Sequence, residues 1–148
     1  MSGTYSFVDV AATITGPTGT ANLGYGASNA DEGLTVSLAG DKNTMLIGAD
    51  GNGMHSLHAD KSGSVTVRLL KVSPVNAILQ AMYDAQSLSS ALWGQNVIVI
   101  RQIASGDVTT AVRCAFKKKP DVTYKKDGDI VEWTFDTVRI DTVLGTYN

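Results

Sequence analysis

Two runs of strict alternation, Leu34, Val36 and Leu38 in one and Val65, Val67 and Leu69 in the other, bracket a segment that obeys no such rule. The bracketing residues alternate with small or polar ones, Ser64, Thr66 and Arg68 among them, which is the two-residue period of half-buried strands. Between Gly40 and Gly63 the chain instead mixes Asp41, Lys42, Asp50, Asp60 and Lys61 with Met45, Leu46, Ile47, Met54 and Leu57. Two turn-forming knots punctuate it, Ala49 to Gly53 and Asp60 to Gly63, because Gly, Asn and Asp accept positive φ at little cost. The segment is too glycine-rich for a helix, and its apolar side chains are costly for a soluble monomer to display. It reads as a protruding hairpin arm over about residues 40–63, with Met45, Leu46, Ile47, Met54 and Leu57 buried by another copy of the chain. Asp50, Asn52, His55 and His58 belong to the same inter-subunit arm.

Composition supports a chain that hides surface by association. Of 148 residues 43% are apolar and only 18% charged, below the quarter usual for a globular domain. The length suits one domain, residues 1–148, with one core. A net charge of −2 gives no basic field for general nucleic-acid or membrane binding. Cys114 is alone, which excludes an intrachain disulfide and fits a reducing cytoplasm. The N-terminal run has neither the basic start nor the apolar stretch of a signal peptide, and no window is long enough to span a bilayer. The expectation is a cytosolic chain that stays soluble until it assembles.

Around the arm the sequence reads as seven or eight strands and one helix, a mainly β, α+β fold: an antiparallel β-sandwich or partial β-barrel with one flanking α-helix. Tyr5 to Ile14 favours strand, with Val8, Val10, Ala12 and Ile14 on one face, and Gly16-Pro17 stops it. The glycine-rich stretch to Gly33 is a loop anchored by Leu23 and Tyr25, with room for a short strand at Ala21 to Leu23. Ser73-Pro74 opens the helix, over about 74–87, since Ser caps free amides and Pro is preset for a first turn. Its apolar face is Val75, Ile78, Leu79 and Met82; Asn76, Gln80, Asp84 and Gln86 lie opposite. Val97 to Ile103 is β-branched and apolar enough to be a central strand covered on both faces. Val108 to Phe116 alternates, with Val108, Val112, Cys114 and Phe116 on one side. Val122 to Tyr124 and Ile130 to Asp141 form a last hairpin about an Asp-Gly turn, with Val131, Trp133 and Phe135 facing one way and Glu132, Thr134 and Asp136 the other.

The inventory for chemistry is short. His55 and His58 lack the third ligand and rigid frame that zinc needs, and Asp50 to Gly53 is a turn without the distal Glu of a calcium loop. Gly24, Gly26 and Gly33 lack the strand–glycine–helix setting of a dinucleotide site. Cys114 sits on an apolar strand face and reads as buried and inert, and no serine lies in a nucleophile elbow. The scattered carboxylates form no acid–base pair. Lys117-Lys118-Lys119 with Lys125 and Lys126 is the one basic cluster, read as a solvated strand end or a contact with an acidic neighbouring subunit. The chain is expected not to be an enzyme and to need no cofactor or metal.

The run Gly48 to His58, then Lys61-Ser62-Gly63, Val65 to Leu70 and the helix opening at Ser73-Pro74, resembles the tail tube proteins of contractile-tailed bacteriophages. Thr4 to Phe7, Trp93-Gly94-Gln95-Asn96 and the strand around Val131-Glu132-Trp133 fit the same pattern. The resemblance implies a virion protein that self-assembles into rings of six, stacked into the hollow inner tube of the tail. Sheath, baseplate and tape-measure proteins would be its partners, with DNA passing through the lumen without sequence-specific binding and no membrane involved. On that picture Ser64, Thr66, Arg68, Glu132, Thr134 and Asp136 face the lumen, and Asn76, Gln80 and Asp84 face outward from the helix. The alternatives are a tube-terminator or baseplate-hub protein of the same fold, and a monomeric ligand-binding β-sandwich.

Overall fold

The computed structural model describes residues 3–147, Glu32 by its backbone alone; Met1, Ser2 and Asn148 of the expected 1–148 domain lie outside them. In chain order the strands are β1 (Val10–Gly16), β2 (Gly19–Asn22), β3 (Asn29–Leu38), β4 (Asn43–Ile47), β5 (Gly53–Leu57), β6 (Gly63–Leu70), β7 (Asn96–Gln102), β8 (Asp107–Lys118) and β9 (Ile130–Val143). The helix α1 (Val75–Gln86) lies between β6 and β7, and among the described residues no helix is long and apolar enough to cross a membrane. Seven strands form one antiparallel sheet in the order β2-β1-β7-β8-β9-β6-β3, and β4 pairs only with β5. The large sheet curls into a half-barrel rather than splitting into a two-sheet sandwich.

The concave face holds the core. Ala12 and Ile14 of β1, Val65, Val67 and Leu69 of β6, Ile98 of β7 and Trp133 and Phe135 of β9 all turn inward, and α1 closes over them with Val75, Leu79 and Met82. Phe116 stands at the centre of an aromatic group, with the rings of Tyr83, Trp93, Trp133 and Phe135 between 4.9 and 6.4 Å away. These edge and tilted contacts add to what the buried area supplies. One end of α1 is fastened by a buried amide pair: Gln86 Nε2 donates to Asn96 Oδ1 at 2.8 Å and Asn96 Nδ2 donates back to Gln86 Oε1 at 2.9 Å. Asn96 Nδ2 also reaches the Cys114 carbonyl, so the helix is tied to β7 and β8 together.

Several elements depart from the alternation read in the sequence. Ser6 caps a 3-10 turn over Phe7–Asp9, accepting from the Val8 amide, so the first strand begins at Val10 and Val8 is exposed. In β8, Arg113 adopts φ 55°, a bulge that sets two β8 residues, Val112 and Arg113, against Val97 of β7. The bulge flips the parity, so Ala111 is buried in the place expected of Val112 while Cys114 and Phe116 stay inside. The hairpin over Val122 to Tyr124 does not form: those residues join no strand, and Ile130 to Trp133 of β9 pair with β6 alone, beyond the point where the β8 register stops at Thr134. β7 is covered on one face only: Asn96, Ile98 and Gln102 are buried, whereas Val97 and Val99 on the other face are half-buried. On α1, Ile78 is 42% exposed and Gln86 is fully buried, the reverse of their expected places.

Candidate assembly surfaces

Three surfaces carry the residues singled out in the sequence. The arm is the ribbon β4–β5, with Met45 opposite His55, Leu46 opposite Met54 and Ile47 opposite Gly53. Its tip is a tight turn: the Gly48 amide donates to the Asn52 carbonyl, Gly51 takes φ 87°, and Asp50 accepts from both the backbone and the side-chain amide of Asn52. Those bonds hold the Asp50 carboxyl below its ordinary range. Strand alternation puts Met45, Ile47 and Leu57 on one face and Leu46 and Met54 on the other, so neither face is polar. All five are exposed, from 54% for Ile47 to 81% for Leu57. No part of the large sheet pairs with the ribbon.

The histidines fall on opposite faces of the ribbon. His55 Nδ1 lies 3.1 Å from Asn43 Nδ2, and His58 Nε2 lies 2.7 Å from Thr44 Oγ1, so each ring is used to brace its own hairpin. At the root of the arm the Ile140 amide donates to the Lys61 carbonyl. Lys61 Nζ meets Asp141 Oδ1 at 2.9 Å, and Arg139 Nε meets Asp141 Oδ2 at 2.7 Å. The hydrogen bonds and charge of these two cations keep the Asp141 carboxyl below its usual value. Asp60 is held low first by the Ser62 hydroxyl and amide.

The second surface is the face of the sheet away from the core. Register brings the six expected lumen residues together in three facing pairs: Ser64 with Asp136, Thr66 with Thr134 and Arg68 with Glu132. Thr35 and Ser37 of β3 extend the same face opposite Thr66 and Ser64, and alternation with Leu34, Val36 and Leu38 was the signal for them. Arg68 is committed within the face, with Nη1 donating to Thr35 Oγ1 at 2.9 Å and Nε 3.5 Å from Glu132 Oε2.

The third surface is the outward side of α1, where Gln80 Nε2 donates to Asp84 Oδ1 at 2.9 Å. Asn76, expected on the same exposed side, is instead half-buried: its Oδ1 accepts from Trp133 Nε1 at 3.0 Å and its Nδ2 donates to the Leu70 carbonyl. Cys114 is fully buried and donates weakly to the Ala111 carbonyl, and burial pushes its thiol pKa up. Among the described residues no cluster of three or more His, Cys, Asp or Glu side chains could hold a metal ion.

The described residues thus form a curled antiparallel sheet with one helix, two open edges, β2 and β3, and an apolar ribbon that pairs with no strand of that sheet. Against protein-family models, residues 1–145 match the bacteriophage PhiTE tail tube protein. The chain belongs to that tail tube family. Its fold recurs in contractile injection machines. One similar structure is the tube terminating cap of the anti-feeding prophage, at TM-score 0.58 and 11% identity over 98% of this chain and 95% of that one. Another is a chain of the sheath–tube complex of the PVC extracellular contractile injection system in its extended state, at TM-score 0.55 and 10% identity over 90% and 88%. No curated protein sequence matches this tail tube protein. At such low identity these likenesses speak for the fold, and the family match speaks for a structural role in a tail tube.

Proposed function

We propose that this tail tube protein self-assembles into closed rings, of six copies on the family resemblance, that stack into the inner tube of a contractile phage tail and conduct DNA. In this role it is a virion component inside a sheath and performs no catalysis. The observation that carries the reading is the β4–β5 ribbon, apolar on both faces and unpaired with the rest of its own chain. Burying a Leu or Met side chain contributes about 1.5–3 kcal/mol. With roughly half to four-fifths of each side chain still open, docking the five apolar residues on neighbouring copies supplies about 5 kcal/mol or more per ribbon. The sheet adds two open edges, β2 and β3, each a template for another chain. A heterologous contact of this kind closes a ring or climbs a helix.

Negative-stain microscopy of the purified protein tests the proposal. Filaments with a central channel support it, single rings that never stack favour a terminator like the similar cap, and monodisperse monomers refute it. The double variant Leu46→Ser, Met54→Ser should keep its strand content while raising the concentration needed for assembly about 30-fold or more, the equivalent of about 2 kcal/mol. Assembly at wild-type concentrations by that variant would remove the arm from the mechanism.

A further inference from the structure

The antiparallel order gives the half-barrel two unlike ends. β1, β6 and β8 start, and β3, β7 and β9 finish, at one end, from which the arm leaves; Gly16, Leu70, Asn96, Lys118 and Ile130 mark the other. Charge is sorted between them. Lys71, Lys117, Lys118, Lys119, Lys125 and Lys126, six of the chain's eight lysines, stand at the end opposite the arm. Of these, Lys125 is paired with Asp129, and Lys71 is spent on the Thr123 carbonyl and the Tyr124 ring. Lys117, Lys118, Lys119 and Lys126 have no ion-pair partner among the described residues, nor do Asp121 and Asp127 in the same loop, so the end keeps an excess of positive charge rather than a purely basic face. Among the described residues the arm end carries Asp9, Asp41, Asp50, Asp60 and Asp107 without an ion-pair partner, against Lys42 and Arg101, while Lys61 and Arg139 there share Asp141.

We propose that these ends recognise each other: the lysine end of one copy docks on the aspartate end of the next copy along the tube axis. The occupant is a second copy of this chain, and charge complementarity selects it, since like ends repel and opposite ends attract. Ring closure is then driven by apolar contacts and elongation by charge, so growth is head-to-tail and of one polarity. This rests on the tube reading and adds which surfaces stack.

Two variants and their mixture test it. Lys117→Glu, Lys118→Glu, Lys119→Glu makes both ends acidic, and Asp9→Lys, Asp41→Lys turns the arm end basic. All five positions lie outside the ribbon strands, and circular dichroism checks that each variant folds. In low salt each variant alone should elongate at least about 10-fold more slowly than wild type, as read by light scattering. An equimolar mixture should recover elongation, because each acidic lysine end then meets a basic arm end. Independently, wild-type elongation should slow as NaCl rises from about 0.05 to about 0.5 M, where screening shortens to a few ångströms. Variants that elongate like wild type, a mixture that fails to recover, or salt-insensitive elongation would each overturn the contact while leaving wild-type tubes intact. Wild-type protein that never assembles would overturn the tube reading and this contact with it.

Discussion

Replacing Asn96 by Leu should unfold the subunit far more easily than the change in size suggests. Asn96 and Gln86 are both fully buried and exchange two hydrogen bonds, while Asn96 also serves the Cys114 carbonyl and Gln86 the Thr18 hydroxyl. Asn96→Leu keeps the volume but strands the Gln86 amide and the Cys114 carbonyl without their partner. A buried polar group left unsatisfied costs about 1–3 kcal/mol, so the single variant should lose about 3–4 kcal/mol. Gln86→Met strands Asn96 in the same way and should lose about 2–3 kcal/mol. The double variant removes both orphaned side chains and leaves only the Cys114 carbonyl and the half-buried Thr18 hydroxyl without a partner, so its cost should be about 1–2 kcal/mol, with a coupling of about 3 kcal/mol or more. Urea unfolding followed by the fluorescence of Trp93 and Trp133, at concentrations too low for assembly, measures all three. Additive losses, or an Asn96→Leu variant within about 1 kcal/mol of wild type, would refute the reasoning that this pair pins the helix.

Two further outcomes follow from the roots of the arm. A β-carbon at Gly63 would collide with the Ser37 carbonyl oxygen and come within 2.9 Å of the Leu38 Cα, so Gly63→Ala should cost about 3 kcal/mol in thermal unfolding because backbone must move. Asp141 is depressed below 3.8 by Lys61 and Arg139, so its contribution is present above that value and lost as pH falls through the lower folded-state value. Melting temperatures of wild type and Asp141→Asn should therefore differ at about pH 7 and draw together as pH falls below the ordinary carboxylate range; a gap that stays constant on acidification would contradict the ion-pair assignment.

Much of this architecture was legible because period-2 alternation is local. The inward faces of β6 and β9, the helix opening at Ser73-Pro74 and the glycine-jointed hairpin all follow from residues a few positions apart. What escaped depends on partners distant in sequence. Gln86 looked polar and outward because its mate Asn96 lies beyond a loop, and Asn76 because Trp133 does. The parity of β8 turned on Arg113, a residue type with no preference for positive φ, so no local signal announced the bulge. Val122 to Tyr124 had strand propensity, yet those residues leave the edge of Ile130 to Trp133 unpaired, and strand propensity alone does not decide which edges are joined. The six face residues, by contrast, came together because β6 and β9 each keep the alternation over the paired stretch.

A conduit for DNA must be wetted without being adhesive, and the proposed lumen face meets that need in a specific way. Phosphate backbones bind through unpaired cations that release counterions. On this face the sole cation of the six, Arg68, is already held by Glu132 and Thr35, and the other five are hydroxyls or acidic groups, with Lys118 beside them opposite Thr134. The unpaired lysines lie at one rim of the same sheet, where in a lone ring they would hold DNA. The proposed stacking through the aspartate end of the next ring would neutralise them at every junction except the last. The charge contact that sets the direction of growth would thus also clear the bore of its adhesive sites, so single rings should retain DNA in a salt-sensitive manner that finished tubes do not.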